Sequence, residues 1–486
     1  MSGTCLIAAP DPFTRRVIEP IRSVVGDRGI ITDPDEVQPF MVSWRDGWVG
    51  QSRLVVQPAT TEELAEVVKI CAATRTPIVP QGGNTGLTGA SQPHADNSEI
   101  VISTSRLNRI REIDIDNDML TVEAGCVLAN IQKVAKEAGR LFPLSFAAEG
   151  SCQIGGNIAT NCGGVHVLRY GNTRNLVAGL EVVLPDGRIW NGLRGLRKDN
   201  AGYDMKQIFI GSEGTMGIIT AAVLKLSPLP RATATAFVAV PSPRHAIKLL
   251  TRAKAAVGDR IIAFELIQRL CIEIAHKHVP AACDPLQRPF EWYVLTELAD
   301  QDANDRIQGM LADVLEAAME AGEVLDGVTA VSKSEADALW QIREGIPEGQ
   351  RHEGCSYKHD VSVPISKVDV FLERADHALM QAFPGIRPFS FGHLGDGNVH
   401  YNPMQPDGAD PKEWVKNLPA ANRIVHDIIM DLDGSISAEH GIGQLRLDEL
   451  PRCKAAIEVE MMATLKKAFD PLNIMNPRKV VPPSFL

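Results

Sequence analysis

The sequence predicts an α+β protein, and three of its features do so. Short strand-like runs end in glycine-rich loops through the first part of the chain. Beyond Ser227-Pro228-Leu229-Pro230 the texture changes to long helical patterns alternating with short strands. Near the end, His393 and His400 bracket a Gly395-Asp396-Gly397-Asn398 turn whose flanks are apolar, which reads as a β fold-back.

Taken in order, Leu54-Val55-Val56 reads as a strand. Thr60 and Glu63 form a capping box, and Leu64, Val67, Val68 and Cys71 follow at helical spacing. Pro77 to Pro80 is a buried strand candidate that opens into Gln81-Gly82-Gly83-Asn84-Thr85-Gly86. A second unit repeats the plan, with a strand over Met119 to Glu123, a helix over Leu128 to Ala138, and glycine-rich chain from Gly150 to Gly164. Glu181 to Trp190 is a hairpin around Pro185-Asp186-Gly187. Ile208 to Thr220 is expected to add a further glycine-rich strand edge. Helices follow over Ala246 to Ala256, Asp302 to Ala321 and Ala455 to Phe469, with a strand over Tyr293 to Leu295.

The 486 residues exceed one ordinary core. Three segments are expected: 1–228, 229–435 and 436–486. The composition, 44% hydrophobic and 22% charged, is that of a folded protein. A net charge of −11 argues against a nucleic-acid or anionic-membrane surface but leaves room for a local cationic pocket. Nine scattered cysteines with no Cys-x-x-Cys pair suit a reducing compartment. The opening residues Met1 to Pro10 lack a basic start, and no apolar run reaches membrane length, so a cytoplasmic protein without a membrane span is expected.

Two chemistries stand out. Three glycine-rich loops at strand ends offer successive backbone N–H groups to an anion. A pyrophosphate is the economical ligand. Neither Gly-x-Gly-x-x-Gly nor Gly-x-x-x-x-Gly-Lys-Ser/Thr occurs, which disfavours NAD-type and P-loop binding and leaves FAD as the best fit. In the last hundred residues, His393, His400 and Glu439 make a two-histidine, one-carboxylate set suited to a divalent transition metal, and His440 beside it is a natural base.

Pro80 to Gly89, Gly155 to Gly164 and Gly211 to Thr220 resemble the FAD-binding domain of the vanillyl-alcohol-oxidase/PCMH superfamily. Gly392 to His400, Glu439 to Gly443 and Ile474-Met475-Asn476-Pro477 resemble its FAD-linked 2-hydroxy-acid dehydrogenases, with the D-2-hydroxyglutarate branch nearest. That resemblance implies a PCMH-type FAD domain, an α+β substrate domain with an antiparallel sheet, and a tail returning to the FAD domain. It implies cofactor contacts from Gln81, Gly82, Gly83, Asn84, Thr85, Gly86, Gly150, Ser151, Gly155, Gly156, Asn157, Thr160, Asn161, Gly163, Gly214, Ile219 and Asn476. It implies a zinc ion on His393, His400 and Glu439, His440 as base, and Arg343, Lys358 and Asn402 on the substrate carboxylates. One position departs from the family pattern: Pro347 stands where mammalian members carry a substrate-contacting threonine. The implied activity is oxidation of D-2-hydroxyglutarate to 2-oxoglutarate. D-lactate or glycolate oxidation is the enzyme alternative, and a flavin-binding electron carrier or assembly subunit the non-enzyme one. The implied partners are an electron-transfer flavoprotein or quinone-linked carrier, and a second copy of the chain.

Overall fold

The computed structural model describes residues 11–43, 48–303 and 306–486. The leader reading at residues 1–10 therefore lies outside the described residues.

The chain is α+β, and two separate bodies of sheet carry it. In the first, Ile30–Ile31, Val55–Val56, Ile100–Ser103 and Ile78–Gln81 form a four-stranded sheet in that order, the last three strands parallel. Thr60 caps the Thr61–Thr74 helix beside it, its hydroxyl oxygen accepting from the Glu63 N–H at 3.1 Å while Glu63 reaches back to the Ala59 N–H at 2.7 Å. Next to it lies a five-stranded antiparallel sheet, ordered Ile110–Asp114, Met119–Glu123, Ile218–Lys225, Val177–Val183, Ile189–Gly192. The first glycine loop leaves the end of the Ile78–Gln81 strand, and the 211–217 loop leads into the Ile218–Lys225 strand.

The second body is a seven-stranded antiparallel sheet. Its order is Asp326–Thr329, Ala232–Val240, Trp292–Asp300, Ile261–Gln268, Ser390–His393, Asn398–Tyr401, His359–Ser362. Apolar residues fill both faces. The Pro243–Val257, Arg306–Glu320 and Val368–Ala382 helices cover one, and the Arg269–His278 and Lys333–Arg351 helices the other. The histidine fold-back occupies the strand pair Ser390–His393 and Asn398–Tyr401, joined in register by Phe391 opposite His400.

Two sequence expectations need correction. Ile208 and Phe209 lie in a short helix, Lys206–Phe209, and the strand begins only at Ile218. The run resembles a strand because Ile208, Phe209 and Ile210 are consecutive apolar residues, but the Phe209 ring serves tertiary packing against Trp190 and Phe469 instead of a sheet face. Within the stretch 150–164, Ile154–Thr160 is helical. Tertiary packing overrides the low helix propensity of glycine there: Gly155 lies so close to Ala124 that an added Cβ would sit 2.6 Å from the alanine Cβ.

The tail crosses back to the first body. The Ile78 N–H donates to the Ile474 carbonyl and the Asn476 N–H to the Ile78 carbonyl, both at 2.7 Å. Lys466, on the Ala456–Phe469 helix, is almost wholly buried, and its ammonium donates to the carbonyls of Thr215 at 2.7 Å and Met475 at 2.6 Å and to Asp470 at 2.5 Å. One buried charge thus ties the tail to the 211–217 loop. Lys466→Met leaves the Asp470 carboxylate buried without its cation, and is expected to cost about 3–5 kcal/mol. Thermal melting and retained FAD measure this; an unchanged melting temperature with FAD retained would dismiss the anchor.

Candidate active site

The site is built where the two bodies meet through the Glu439 to Gly443 segment. His393 and His400 come from the strand pair, and Glu439 from the connection that follows the Leu418–Asp431 helix. One ligand atom from each lies within 4.8 Å of the others. The His393 Nε2 is 3.8 Å from the Glu439 Oε1. The His393 and His400 rings are 5.3 Å apart and nearly perpendicular, so they converge from two directions. The donor set, two imidazoles and one carboxylate, fits a divalent transition ion.

A second layer fixes these ligands. Glu265, wholly buried on the Ile261–Gln268 strand, accepts from His393 Nδ1 at 2.6 Å and from Arg343 Nε at 2.7 Å. With Nδ1 protonated towards Glu265, the His393 Nε2 is left to face Glu439 and a cation. Burial opposes charge on Glu265, but the neighbouring His393 and Arg343 outweigh it and hold the carboxyl well below its usual range. Burial also opposes charge on His393, and Glu265 outweighs it, raising the imidazole to about 9. His400 is pushed well below its ordinary value, first by burial and then by the charge of His393. Burial raises Glu439.

Asp360 holds the other side. It accepts from the backbone N–H of Glu439 at 2.8 Å and of His440 at 2.9 Å, and from Asn398 Nδ2 at 2.9 Å. Its oxygens lie 3.7 Å from His400 Nδ1 and 3.6 Å from His440 Nδ1. The His440 ring is 6.2 Å from His400 and nearly parallel to it. Glu213 completes the frame from the first body, accepting from the N–H groups of Ile442 and Gly443, both at 2.8 Å. Burial pushes this carboxyl up to about 7 against those two hydrogen bonds.

The glycine loops reach this frame. A Cβ at Gly163 would lie 2.4 Å from Glu439 Oε1, so the second loop abuts the carboxylate directly. Gly83 of the first loop lies against the Ser151 carbonyl of the second, where a Cβ would come within 2.2 Å. Gly150 and Gly156 instead border open space, with nothing within 4 Å of an added Cβ. Among the described residues, the N–H groups of Gly82, Gly83 and Gly86 meet no acceptor. Free amides beside a cradle of glycines fit a pyrophosphate.

Several loop side chains hold the loops themselves. Asn84, at φ 56°, donates to the Val42 carbonyl at 3.0 Å and accepts from Gln92 at 2.5 Å. Gln81 donates to the carbonyls of Phe40 and Ser91, Thr160 to those of Gly156 and Asn157, and Asn161 accepts from the Arg174 N–H. Asn157 donates to Cys152 Sγ, and Ser151 to the Ala148 carbonyl. Ile219 packs in the core of the five-stranded sheet, and Gly214, at φ 73°, packs on Pro80. Asn476 donates to the carbonyls of Ala90 at 3.0 Å and Glu213 at 2.7 Å. Thr85 lies in the first loop between Asn84 and Gly86.

Of the expected substrate residues, Arg343 joins the metal-candidate set through Glu265 and lies over the Phe391 ring at 4.7 Å. Lys358 and Asn402 form a second group around Gln350. Sequence reasoning missed Glu265, Asp360, Glu213 and Gln350. Glu265 carries a readable signal: a lone carboxylate inside Ile261-Ile262-Ala263-Phe264-Glu265-Leu266-Ile267, where a buried charge requires a partner.

A family model described as FAD linked oxidases, C-terminal domain, matches residues 229–480, and an FAD binding domain model matches residues 52–192. A probable mitochondrial D-2-hydroxyglutarate dehydrogenase of Oryza sativa subsp. japonica is 40% identical over 469 residues, covering 96% of this chain and 81% of the relative. The mitochondrial D-2-hydroxyglutarate dehydrogenase of Danio rerio is 37% identical, covering 98% and 88%. A putative mitochondrial D-lactate dehydrogenase of Schizosaccharomyces pombe is 35% identical, covering 96% and 90%. The solved structure of p-cresol methylhydroxylase shares the fold, with a TM-score of 0.76 at 16% identity over 97% of both chains. The cytoplasmic expectation is overturned by these relatives, since the rice and zebrafish proteins are mitochondrial by name. Among the described residues no helix is long and apolar enough to cross a membrane.

The Glu265 carboxylate predicts its own test. Glu265→Gln removes the charge that orients His393, and affinity for added zinc at the candidate metal set is expected to fall by about 10- to 100-fold in a competition titration. Equal affinity in the two proteins would show that His393 needs no such support.

Proposed function

We propose, from the premise that this chain belongs to the FAD linked oxidases and is an FAD-dependent D-2-hydroxy-acid dehydrogenase, that it oxidises D-2-hydroxyglutarate to 2-oxoglutarate with the help of a divalent metal, zinc. The observation that supports this reading most is the convergence of His393, His400 and Glu439 against Gly163 of a glycine loop, with His440 alongside. The proposed site draws on all three expected segments, 1–228, 229–435 and 436–486.

When bound, FAD supplies a hydride acceptor at N5 and the metal supplies a Lewis acid for the substrate's hydroxyl and C1 carboxylate. The backbone N–H groups of the glycine loops hold the pyrophosphate. His393, His400 and Glu439 hold the metal. His440, its backbone fixed by Asp360, takes the proton from the substrate hydroxyl. Arg343 and Asn402 orient the carboxylate near the metal, and Lys358 takes the distal one. Holding both ends of a diacid aims its C2 hydrogen. The onward acceptor in this proposal is an electron-transfer flavoprotein or a quinone-linked carrier, and the assembly a homodimer; the family resemblance supports both.

A D-lactate or glycolate dehydrogenase is the second reading, favoured by Pro347, which offers the pocket neither hydroxyl nor N–H donor.

Anaerobic mixing with substrate separates these readings. D-2-hydroxyglutarate is expected to bleach the flavin, and His440→Ala to slow bleaching by about 10²- to 10⁴-fold with FAD still bound. Normal reduction in His440→Ala would remove it as the base, and a flavin that stays oxidised with every hydroxy acid would make the chain a carrier. Chelation is expected to abolish turnover and added zinc to restore it; full activity in metal-free enzyme would end the metal's role.

A further inference from the structure

We propose that the exposed stretch from Arg188 to Lys206 is the face on which the chain hands on its electrons, a docking surface for a redox protein that is acidic where it binds. This rests on the dehydrogenase reading given above and names the surface its acceptor uses.

In a chain of net charge −11, this stretch sets Arg188, Arg194, Arg197, Lys198 and Lys206 against only Asp199 and Asp204. Four of the cations lie beside an acid. Arg188 is 2.6 Å from Asp186, Arg194 3.6 Å from Asp199, Arg197 3.4 Å from Asp118 and Lys206 2.7 Å from Asp204. Asp118 is itself shared with Arg140 at 2.6 Å, and Lys198 has no ion pair among the described residues. The surplus is felt at Lys225, which donates to the Asn175 carbonyl at 2.8 Å. Its ammonium is lowered first by burial and then by the charges of Lys206 and Arg197.

Charge alone is enough to blunt a sheet edge, and Ile189–Gly192 is an edge strand of the five-stranded sheet. Apolar groups left in water among the charges serve no such purpose. Tyr203 is 94% exposed, Leu196 53% and Ile189 40%. Exposed tyrosine and leucine rimmed by arginine and lysine compose a protein-binding surface, and the cationic rim selects an acidic partner. An anionic membrane calls for a more uniformly basic stretch than one that holds Asp199 and Asp204.

The stretch is joined to the glycine loops. Trp190, on the edge strand, stacks on Phe209 with ring centroids 5.5 Å apart, and the Lys206–Phe209 helix leads into the 211–217 loop. There the Gly211 and Glu213 N–H groups donate to the Ile158 and Ala159 carbonyls, at 3.1 and 2.8 Å, within the second glycine-rich segment. A partner docked on this edge therefore sits on the body proposed to hold FAD, and not on the sheet that bears the histidines. Oxidation of a 2-hydroxy acid leaves a hydride's two electrons on FAD. Both pass to the flavin of the acceptor, which is reduced as FAD is reoxidised, and the hydride's proton is released to water.

The test uses the full FAD-loaded chain, reduced anaerobically with D-2-hydroxyglutarate or with dithionite. It is then mixed with an acidic electron-transfer flavoprotein or with a neutral short-chain quinone. Lys198→Glu and Arg194→Glu/Lys198→Glu are expected to slow reoxidation by the flavoprotein about 10-fold or more at low ionic strength, the difference closing as salt screens it. Tyr203→Ala is expected to raise the flavoprotein concentration for half-maximal rate about 10-fold at every ionic strength, and reads the surface even if the double variant loses FAD. Reoxidation by the quinone and bleaching by substrate are expected to stay at wild-type rates in all three. Unchanged rates with the flavoprotein, equal slowing with the quinone, or binding of the wild-type chain to anionic phospholipid vesicles in place of the flavoprotein would each overturn the inference. A flavin that no hydroxy acid bleaches would overturn the dehydrogenase reading alone, because the dithionite-reduced protein still reports on the acceptor.

Discussion

A single buried carboxylate, Glu265, governs the arrangement of the site. Left unpaired in a strand interior it would cost several kcal/mol by the usual ~3–5 kcal/mol measure for a broken buried pair. It is offset from two directions, by His393 at 2.6 Å and Arg343 at 2.7 Å. The same contact that makes its burial tolerable therefore fixes an imidazole of the proposed metal set and a guanidinium of the proposed substrate set. The distance between those two functions is limited by the width of one carboxylate. Neither can shift without uncovering a charge that the core cannot solvate.

A similar economy holds the segment from Glu439 to Gly443. Four of its backbone N–H groups are taken by two carboxylates on opposite sides. Asp360 of the seven-stranded sheet binds those of Glu439 and His440, and Glu213 of the first body binds those of Ile442 and Gly443. Backbone hydrogen bonds do not depend on the identity of the side chains they position, so His440 and Glu439 are free to face the site. The tail adds a third strut through Asn476, which donates to the Glu213 carbonyl at 2.7 Å. The segment thus joins the glycine loops to the sheet that bears the histidines.

Much of this frame is legible in the sequence, and the illegible part has one physical cause. The histidine hairpin can be read because its turn residues and its alternation are local, within His393 to His400. Thr60 and Glu63 can be read as a helix start for the same reason. Glu265 escapes because its partners lie 78 and 128 positions away. Glu213 escapes because its partners are backbone groups, 229 and 230 positions on, that no residue type announces. Ile208 and Phe209 mislead in the opposite sense. The β-favouring ring of Phe209 is spent on packing against Trp190 and Phe469, and the backbone there turns into a helix. The loop asparagines form an intermediate case. The positive φ of Asn84 and Asn161 suits an anion-binding loop, yet their amide groups bind the loop to its surroundings.

A net charge of −11 is compatible with an anionic hydroxy-acid substrate. Overall charge acts at long range and is screened over a Debye length of about 8 Å at physiological ionic strength, whereas a buried pocket responds to the groups within it. There Arg343 is matched by Glu265, so the pair carries no surplus. Glu439 and Asp360 face histidines, and a divalent ion would balance the carboxylates. Lys358 donates to the Gln350 amide at 3.0 Å. The charge a ligand meets in such a site is then a local matter, independent of the sign of the protein as a whole.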